Sequence, residues 1–253
     1  MTVTDILVGQ SFAVLVVFAR LGTALMLLPG FGESHVPPRL RLWLGLFTSA
    51  LVATALAERL PAPPIDAAGF AALIGTEVLI GLAVGSILRL TLAALHFAGS
   101  LVALQSGLAA AAFFDPSEAT AGTVPGALLS TLFLVVLFTS DGHHLVLERV
   151  LAGYAAVPPG LLPDPAELLE LATRVGGAAL AVGSGIAAPV VLASFLANLA
   201  LGVLARLVPA LQVLFVALPV QLLLALSALA LGLGGGMAAG LGLLDRSSTW
   251  LLD

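Results

Sequence analysis

Val175-Gly-Gly-Ala-Ala-Leu-Ala-Val-Gly-Ser-Gly-Ile-Ala-Ala-Pro-Val-Val-Leu-Ala-Ser-Phe-Leu-Ala-Asn-Leu-Ala-Leu-Gly-Val-Leu-Ala205 contains no Asp, Glu, Lys or Arg. A helix crosses the ~30 Å hydrocarbon core of a bilayer with about 20 apolar residues, so this stretch spans with length to spare. Residues 119–140 and 207–244 are equally free of charge. All three runs are continuous rather than alternating, which disfavours the two-residue period of a transmembrane β-barrel. The fold class that follows is all-α: a polytopic helical membrane protein with about six long apolar helices.

Composition agrees. The 253 residues are 60% hydrophobic and 9% charged, with a mean hydropathy of +1.16. Soluble domains carry about 25% charged residues, and this chain has too little polar surface to cover a soluble globule. There is no cysteine, so disulfide and thiol chemistry drop out. All nine basic residues are arginine, which reads as codon bias. A net charge of −5 argues against nucleic acid, whose phosphates need a basic patch. Met1-Thr-Val-Thr-Asp5 lacks the basic region of a cleavable signal peptide, and its apolar run continues to Leu28; it reads as a retained helix.

Proline and glycine mark the remaining boundaries. Helix 1 is expected over Thr4–Leu28, stopped by Pro29-Gly30, and helix 2 over Arg39–Leu60, stopped by Pro61-Ala-Pro63-Pro64. Asp66 is a plausible N-cap for helix 3, which meets no proline before Pro116 and could reach Ala112. Helix 4 starts near Val124-Pro125 and ends at Ser140-Asp141-Gly142, and a shorter amphipathic stretch covers His143–Ala156. Asp164-Pro165 opens helix 5, with proline suited to the first turn. Arg206 separates it from the last apolar run, which is expected to fade at Gly232-Leu-Gly-Gly-Gly236 into a short polar tail, about 245–253. No linker divides the chain, so residues 1–253 read as a single helical membrane domain. Arg39 and Arg41 favour a cytoplasmic first loop and an outside N-terminus.

Polar groups inside such a chain need partners or water, since a charge at the bilayer centre costs from about 2.5 kcal/mol upward. Arg20, Glu77, Arg89 and Arg206 are the candidate intramembrane polar contacts, with His96 and Asn198 beside them. They are too scattered for a proton relay, and pairing between helices or subunits accounts for them better. His143-His144 lacks a nearby Cys or third His, and neighbouring side chains at a helix start are expected to diverge; a cap or loop role is expected, not a metal site. Gly81-x-x-x-Gly85 and Gly232-x-x-x-Gly236-x-x-x-Gly240 allow close helix approach, within the chain or against other subunits. No phosphate-binding glycine loop, HExxH or nucleophile elbow occurs, so no catalytic, cofactor or metal residue is expected.

One segment breaks the apolar pattern. Gly107-Leu-Ala-Ala-Ala-Ala-Phe-Phe-Asp-Pro-Ser-Glu-Ala-Thr-Ala-Gly-Thr-Val124 puts two phenylalanines before an Asp-Pro break, and Asp115 and Glu118 give it two carboxylates. Irregular backbone at membrane depth survives only where protein or water satisfies it. The segment is therefore an extramembrane loop or a loop folded into a cavity.

Five stretches, in order, resemble the FliR/SctT family of type III secretion export-gate membrane proteins. They are Leu28-Pro-Gly-Phe-Gly-Glu-Ser-His-Val-Pro-Pro-Arg-Leu-Arg-Leu42; Glu77-Val-Leu-Ile-Gly-Leu-Ala-Val-Gly85 with Ala98-Gly-Ser-Leu-Val-Ala-Leu-Gln-Ser-Gly-Leu108; Phe113-Phe-Asp-Pro116; Asp141-Gly-His-His144 leading to Val157-Pro-Pro-Gly160; and Ala205-Arg-Leu-Val-Pro209 with Phe215-Val-Ala-Leu-Pro219. The chain departs from the family pattern after Pro209, where Ala210 and Leu211 precede Gln212.

The resemblance implies an export-gate arrangement in complex, in the bacterial inner membrane at the flagellar basal body. FliP- and FliQ-type subunits would complete a closed pore, FlhB- and FlhA-type proteins would adjoin it, and unfolded proteins would be its substrates. It also implies that about 107–123 is a pore plug, with Gly107, Phe113, Phe114, Asp115, Pro116 and Gly122 as gate residues. An injectisome subunit is the nearest alternative. A secondary transporter, with Pro189 and Pro219 as helix breaks, would need inverted repeats and a convergent polar site, and neither is found.

Overall fold

The computed structural model describes residues 3–33, 35–57, 59–109, 123–207 and 213–250. Among these residues every regular element is an α-helix: α1 (Val3–Leu25), α2 (Pro38–Ala55), α3 (Ala67–Ser106), α4 (Val124–Thr139), α5 (Gly142–Ala156), α6 (Pro165–Leu207) and α7 (Val213–Trp250). The all-α class holds. Three helices, α3, α6 and α7, are each long and apolar enough to cross a membrane; α4 and α5 add a fourth span if the bent pair is taken as one. The expected six long apolar helices therefore narrow to three or four by length and composition. Helix α1 supplies only a shorter apolar piece, Gly9–Leu25.

Local chemistry explains most boundaries. The α1 helix stops three residues before Leu28, because a residue preceding proline avoids the helical region. The chain tightens there, with Leu27 and Leu28 both donating to the Ala24 carbonyl, and turns at Gly30, whose φ is 86°. Asp66 caps α3 by accepting from the Gly69 N–H at 3.1 Å. Helix α3 ends at Ser106 rather than Ala112, since Gly107 takes φ 78°, the left-handed conformation that closes helices. Thr123 caps α4 through the Gly126 N–H, and Asp164 accepts from the Ala166 N–H just before α6. Helix α2 ends at Ala55, five residues short of Leu60, with its last turn closed by the Leu56 N–H on the Val52 carbonyl.

At the C-terminal end, α7 runs unbroken through Gly232–Gly236 to Trp250. The expected polar tail is thus helical as far as residue 250. Ser247 and Ser248 are buried there, and their hydroxyls donate to the carbonyls of Leu244 and Asp245, which removes the cost of burying them.

Two compact units can be distinguished. The first comprises Met1–Leu90, Asp141–Gly176 and Leu244–Asp253; the second comprises Thr91–Ser140 and Gly177–Leu243. The long helices α3, α6 and α7 each contribute a part to both.

In the first unit, α1 packs against α3 through glycine. A Cβ on Gly81 would overlap the Arg20 carbonyl, and one on Gly85 would lie 2.8 Å from Leu27 Cβ and 3.0 Å from the Ala24 carbonyl oxygen. Helix α2 buries its small residues Gly45, Ser49 and Ala53, while Trp43, Phe47 and Leu51 are exposed.

In the second unit, Gly99 of α3 meets Gly126 of α4 backbone to backbone, and Gly183 of α6 sits against the Ala94 carbonyl. Gly236 and Gly240 of α7 face Ile186 and Phe133. The small-residue motifs therefore serve packing within the chain. Large apolar side chains point outward instead: Leu192, Phe195, Leu196, Leu199 and Val203 on α6, and Leu223, Leu226 and Leu231 on α7. Such extended apolar surfaces require lipid or protein neighbours.

Candidate functional site

Arg20 of α1 and Glu77 of α3 are 57 positions apart, yet their side chains meet in the core of the first unit. Arg20 is 3% exposed and Glu77 is fully enclosed. The guanidinium forks onto the carboxylate: Nε donates to Oε2 at 2.7 Å and one terminal nitrogen donates to Oε1 at 3.1 Å. The other terminal nitrogen donates to the Val157 carbonyl at 2.7 Å. Gly160 N–H then donates to Glu77 Oε1 at 2.8 Å. Planar bidentate pairs of this kind are stronger than neutral hydrogen bonds and fix geometry as well.

Aromatic packing completes the knot. The Arg20 guanidinium carbon lies 4.5 Å from the centre of the Tyr154 ring, within cation–π range. The Tyr154 hydroxyl donates to the Val17 carbonyl at 3.3 Å. Three helices, α1, α3 and α5, and the turn after α5 thus converge on one ion pair. Two glycines make it possible. Gly81 lets α1 approach α3 one turn beyond Glu77, and Gly160, at φ 88°, aims its N–H at the carboxylate from a conformation unfavourable to other residues. Removing only the hydroxyl, Tyr154→Phe, should cost about 0.5–1.5 kcal/mol, the usual net value of one hydrogen bond. A thermal melt of the solubilised chain would read it, and an unchanged midpoint would show that the hydroxyl contributes nothing.

The other proposed polar contacts do not join this cluster. Arg89, His96 and Arg206 are exposed, the last in the final turn of α6 rather than between helices. Asn198 accepts from Gln221 across α6 and α7 at 2.5 Å. Sequence reading does not find Tyr154, Val157 and Gly160 as partners. Tyr154 is the only tyrosine in the chain, set in an amphipathic helix, and that is the available signal.

Of the gate segment, the structure describes both ends. Gly107 closes α3 and Thr123 opens α4. Phe113, Phe114, Asp115, Pro116 and Gly122 lie outside the described residues.

The two histidines do not diverge as expected. Their ring centres are 4.0 Å apart, and His144 Nδ1 lies 3.3 Å from Asp141 Oδ1. Asp141 adopts φ 57°, a left-handed conformation that aspartate tolerates better than most residues, and this folds its carboxylate back over the start of α5.

The family model for bacterial export proteins, family 1, matches residues 11–246. The chain belongs to this family. Bacterial export proteins similar to it include the flagellar biosynthetic protein FliR of Caulobacter vibrioides, 34% identical over 89% of this chain and 90% of the relative. FliR of Escherichia coli is 29% identical over 85% and 80%. The Yop proteins translocation protein T of Yersinia pestis is 31% identical over 62% and 61%. Flagellar biosynthetic proteins and a Yop proteins translocation protein thus both resemble it, the flagellar ones over more of its length.

Proposed function

We propose that this chain is a structural, non-enzymatic subunit of a flagellar type III protein export gate in the bacterial inner membrane. The observation that carries this reading is the 34% identity to a flagellar FliR over nearly the full length of both chains. With FliP- and FliQ-type subunits it would form the closed pore for unfolded flagellar proteins, beside FlhB- and FlhA-type components of the basal body. Apolar side chains exposed on α2, α6 and α7 support a life among lipid and other membrane subunits. The two compact units are read as parts of one domain, because three helices run through both.

Deletion of the gene should abolish swimming while leaving any injectisome secretion intact, and the tagged chain should co-purify with unlike small membrane proteins. Loss of effector secretion with normal swimming would instead assign it to an injectisome.

Within that gate, residues about 107–123 act as a movable plug, with Phe113 and Phe114 as its seal. Apolar side chains in a narrow lumen exclude water, and a dewetted constriction blocks ions. Asp115-Pro116, Gly107 and Gly122 hold the loop ends. Replacing both Phe113 and Phe114 by Ala should raise small-ion leakage through the assembled gate several-fold. Unchanged permeability in an intact assembly would exclude this seal.

A further inference from the structure

Asp141, His143 and His144 place three metal-ligand atoms within 4.8 Å of one another at the start of α5. We propose that they form a binding site for a borderline transition-metal dication, with Zn2+ the best fit. This goes beyond the export-gate reading and does not depend on it.

The donor set is one carboxylate and two imidazoles. Imidazole and carboxylate oxygen both suit Zn2+, which takes them at about 2.0–2.2 Å. For tetrahedral bonds of that length, the edge between two ligand atoms is roughly 3.3–3.5 Å. The separation of His144 Nδ1 and Asp141 Oδ1 is 3.3 Å. The second ring lies against the first, with centres 4.0 Å apart, and offers a third ligand atom within 4.8 Å of the other two. Three protein ligands leave the fourth position to water, as in open zinc sites.

Backbone and exposure favour the same use. Asp141 occupies the N-cap position of α5, but its side chain makes no capping hydrogen bond, so the carboxylate is not spent on the helix. The left-handed φ of 57° is what turns it towards the imidazoles. The Asp141 and His144 side chains are 80% and 67% exposed, leaving an open entry for an ion and its water. His143 is half-buried and gives the site a fixed wall. One turn on, Glu148 shares the face of His144 and adds negative charge. The positive end of the helix dipole opposes a cation, and the two carboxylates offset it. A bound ion would pin the first turn of α5, whose last turn carries Tyr154 against Arg20.

The test uses the full chain in detergent with a histidine-free affinity tag, titrated with Co2+ and then Zn2+. Tetrahedral Co2+ shows intense visible bands, and about one ion per chain should bind and be displaced by Zn2+. His143→Ala, His144→Ala and Asp141→Asn should each weaken binding by at least about tenfold, the scale on which perturbing a metal site acts. His35→Ala and His96→Ala should leave it unchanged. His144→Gln serves as a second variant if alanine disturbs α5, and helical circular dichroism checks the fold of each. No Co2+ spectrum, or binding that survives loss of both His143 and His144, overturns the proposal. So does binding lost with His35 or His96. In those cases Asp141 and His144 are only a surface ion pair.

Discussion

Replacing Glu77 with alanine should destabilise the solubilised chain by about 3–5 kcal/mol, the scale seen when one partner of a buried ion pair is removed. Three losses coincide in this variant. Arg20 keeps its charge in a site where it is 3% exposed, the Gly160 N–H loses its acceptor, and a cavity opens between α1 and α3. Glu77→Gln should fall between the two, since it retains an acceptor for Gly160 but not the charge. The informative variant is the double one. Replacing Arg20 and Glu77 together with leucine removes the stranded charge, and it should be more stable than Glu77→Ala alone. In a chain of this size each kcal/mol moves the melting midpoint by roughly 2–4 °C. A thermal melt in detergent, or the yield of the co-purified assembly, reads all of these. A Glu77→Ala midpoint indistinguishable from the parent would show that Arg20 reaches water and that the knot is not an enclosed charge pair.

Gly99→Ala should be the most damaging single-methyl change in the second unit. A Cβ at Gly99 would overlap the Gly126 backbone and come within 2.8 Å of the Pro125 carbonyl carbon. Both obstacles are main chain, so no side chain can swing away; α3 and α4 must separate. Overpacking of this kind costs about 1–3 kcal/mol, and valine should cost more than alanine. Gly185 of α6 is the matched control, because a Cβ added there would meet nothing within 4 Å. There alanine should raise stability by up to about 1 kcal/mol through its better helix propensity. Opposite signs at the two glycines are expected. If both substitutions moved the melt in the same direction, contact between α3 and α4 would not be limiting.

Sequence reading succeeds where structure is decided locally. Asp66, Val124-Pro125 and Pro165 act on backbone within a few residues of themselves, so they announce the starts of α3, α4 and α6 correctly, whereas the proline clusters read as stops place the ends of α1 and α2 three and five residues late. Gly107 is visible as a glycine, but its left-handed φ is not, and the expected α3 is six residues too long. The ion pair shows the other limit. Arg20 and Glu77 each stand out as charges in apolar helices, yet nothing in a linear chain couples positions 57 apart. The partners Tyr154, Val157 and Gly160 contribute through a ring face, a carbonyl and an N–H, and the last two are backbone groups that carry no mark of residue type. Glycine spacing fails to separate internal from external packing for a similar reason. Gly81 and Gly99 are decided by what stands opposite, namely the Arg20 carbonyl and the Gly126 backbone. Adjacent histidines are expected to diverge at a helix start, yet their ring centres lie 4.0 Å apart, a side-chain arrangement the sequence does not show.

The order in which the chain is made gives the Arg20 knot a further meaning. Arg20 leaves the ribosome long before Glu77, and Val157 follows 137 positions after Arg20. During that interval the arginine has no carboxylate, and an unpaired arginine at mid-bilayer costs about 2.5–3.5 kcal/mol even on the mildest scale. Until α3 arrives, an unpaired Arg20 favours water or lipid headgroups over hydrocarbon. Only after Gly160 emerges can the last donors close around Glu77. Chains truncated before residue 160 therefore carry an incompletely satisfied charge pair, lacking the Gly160 N–H on Glu77.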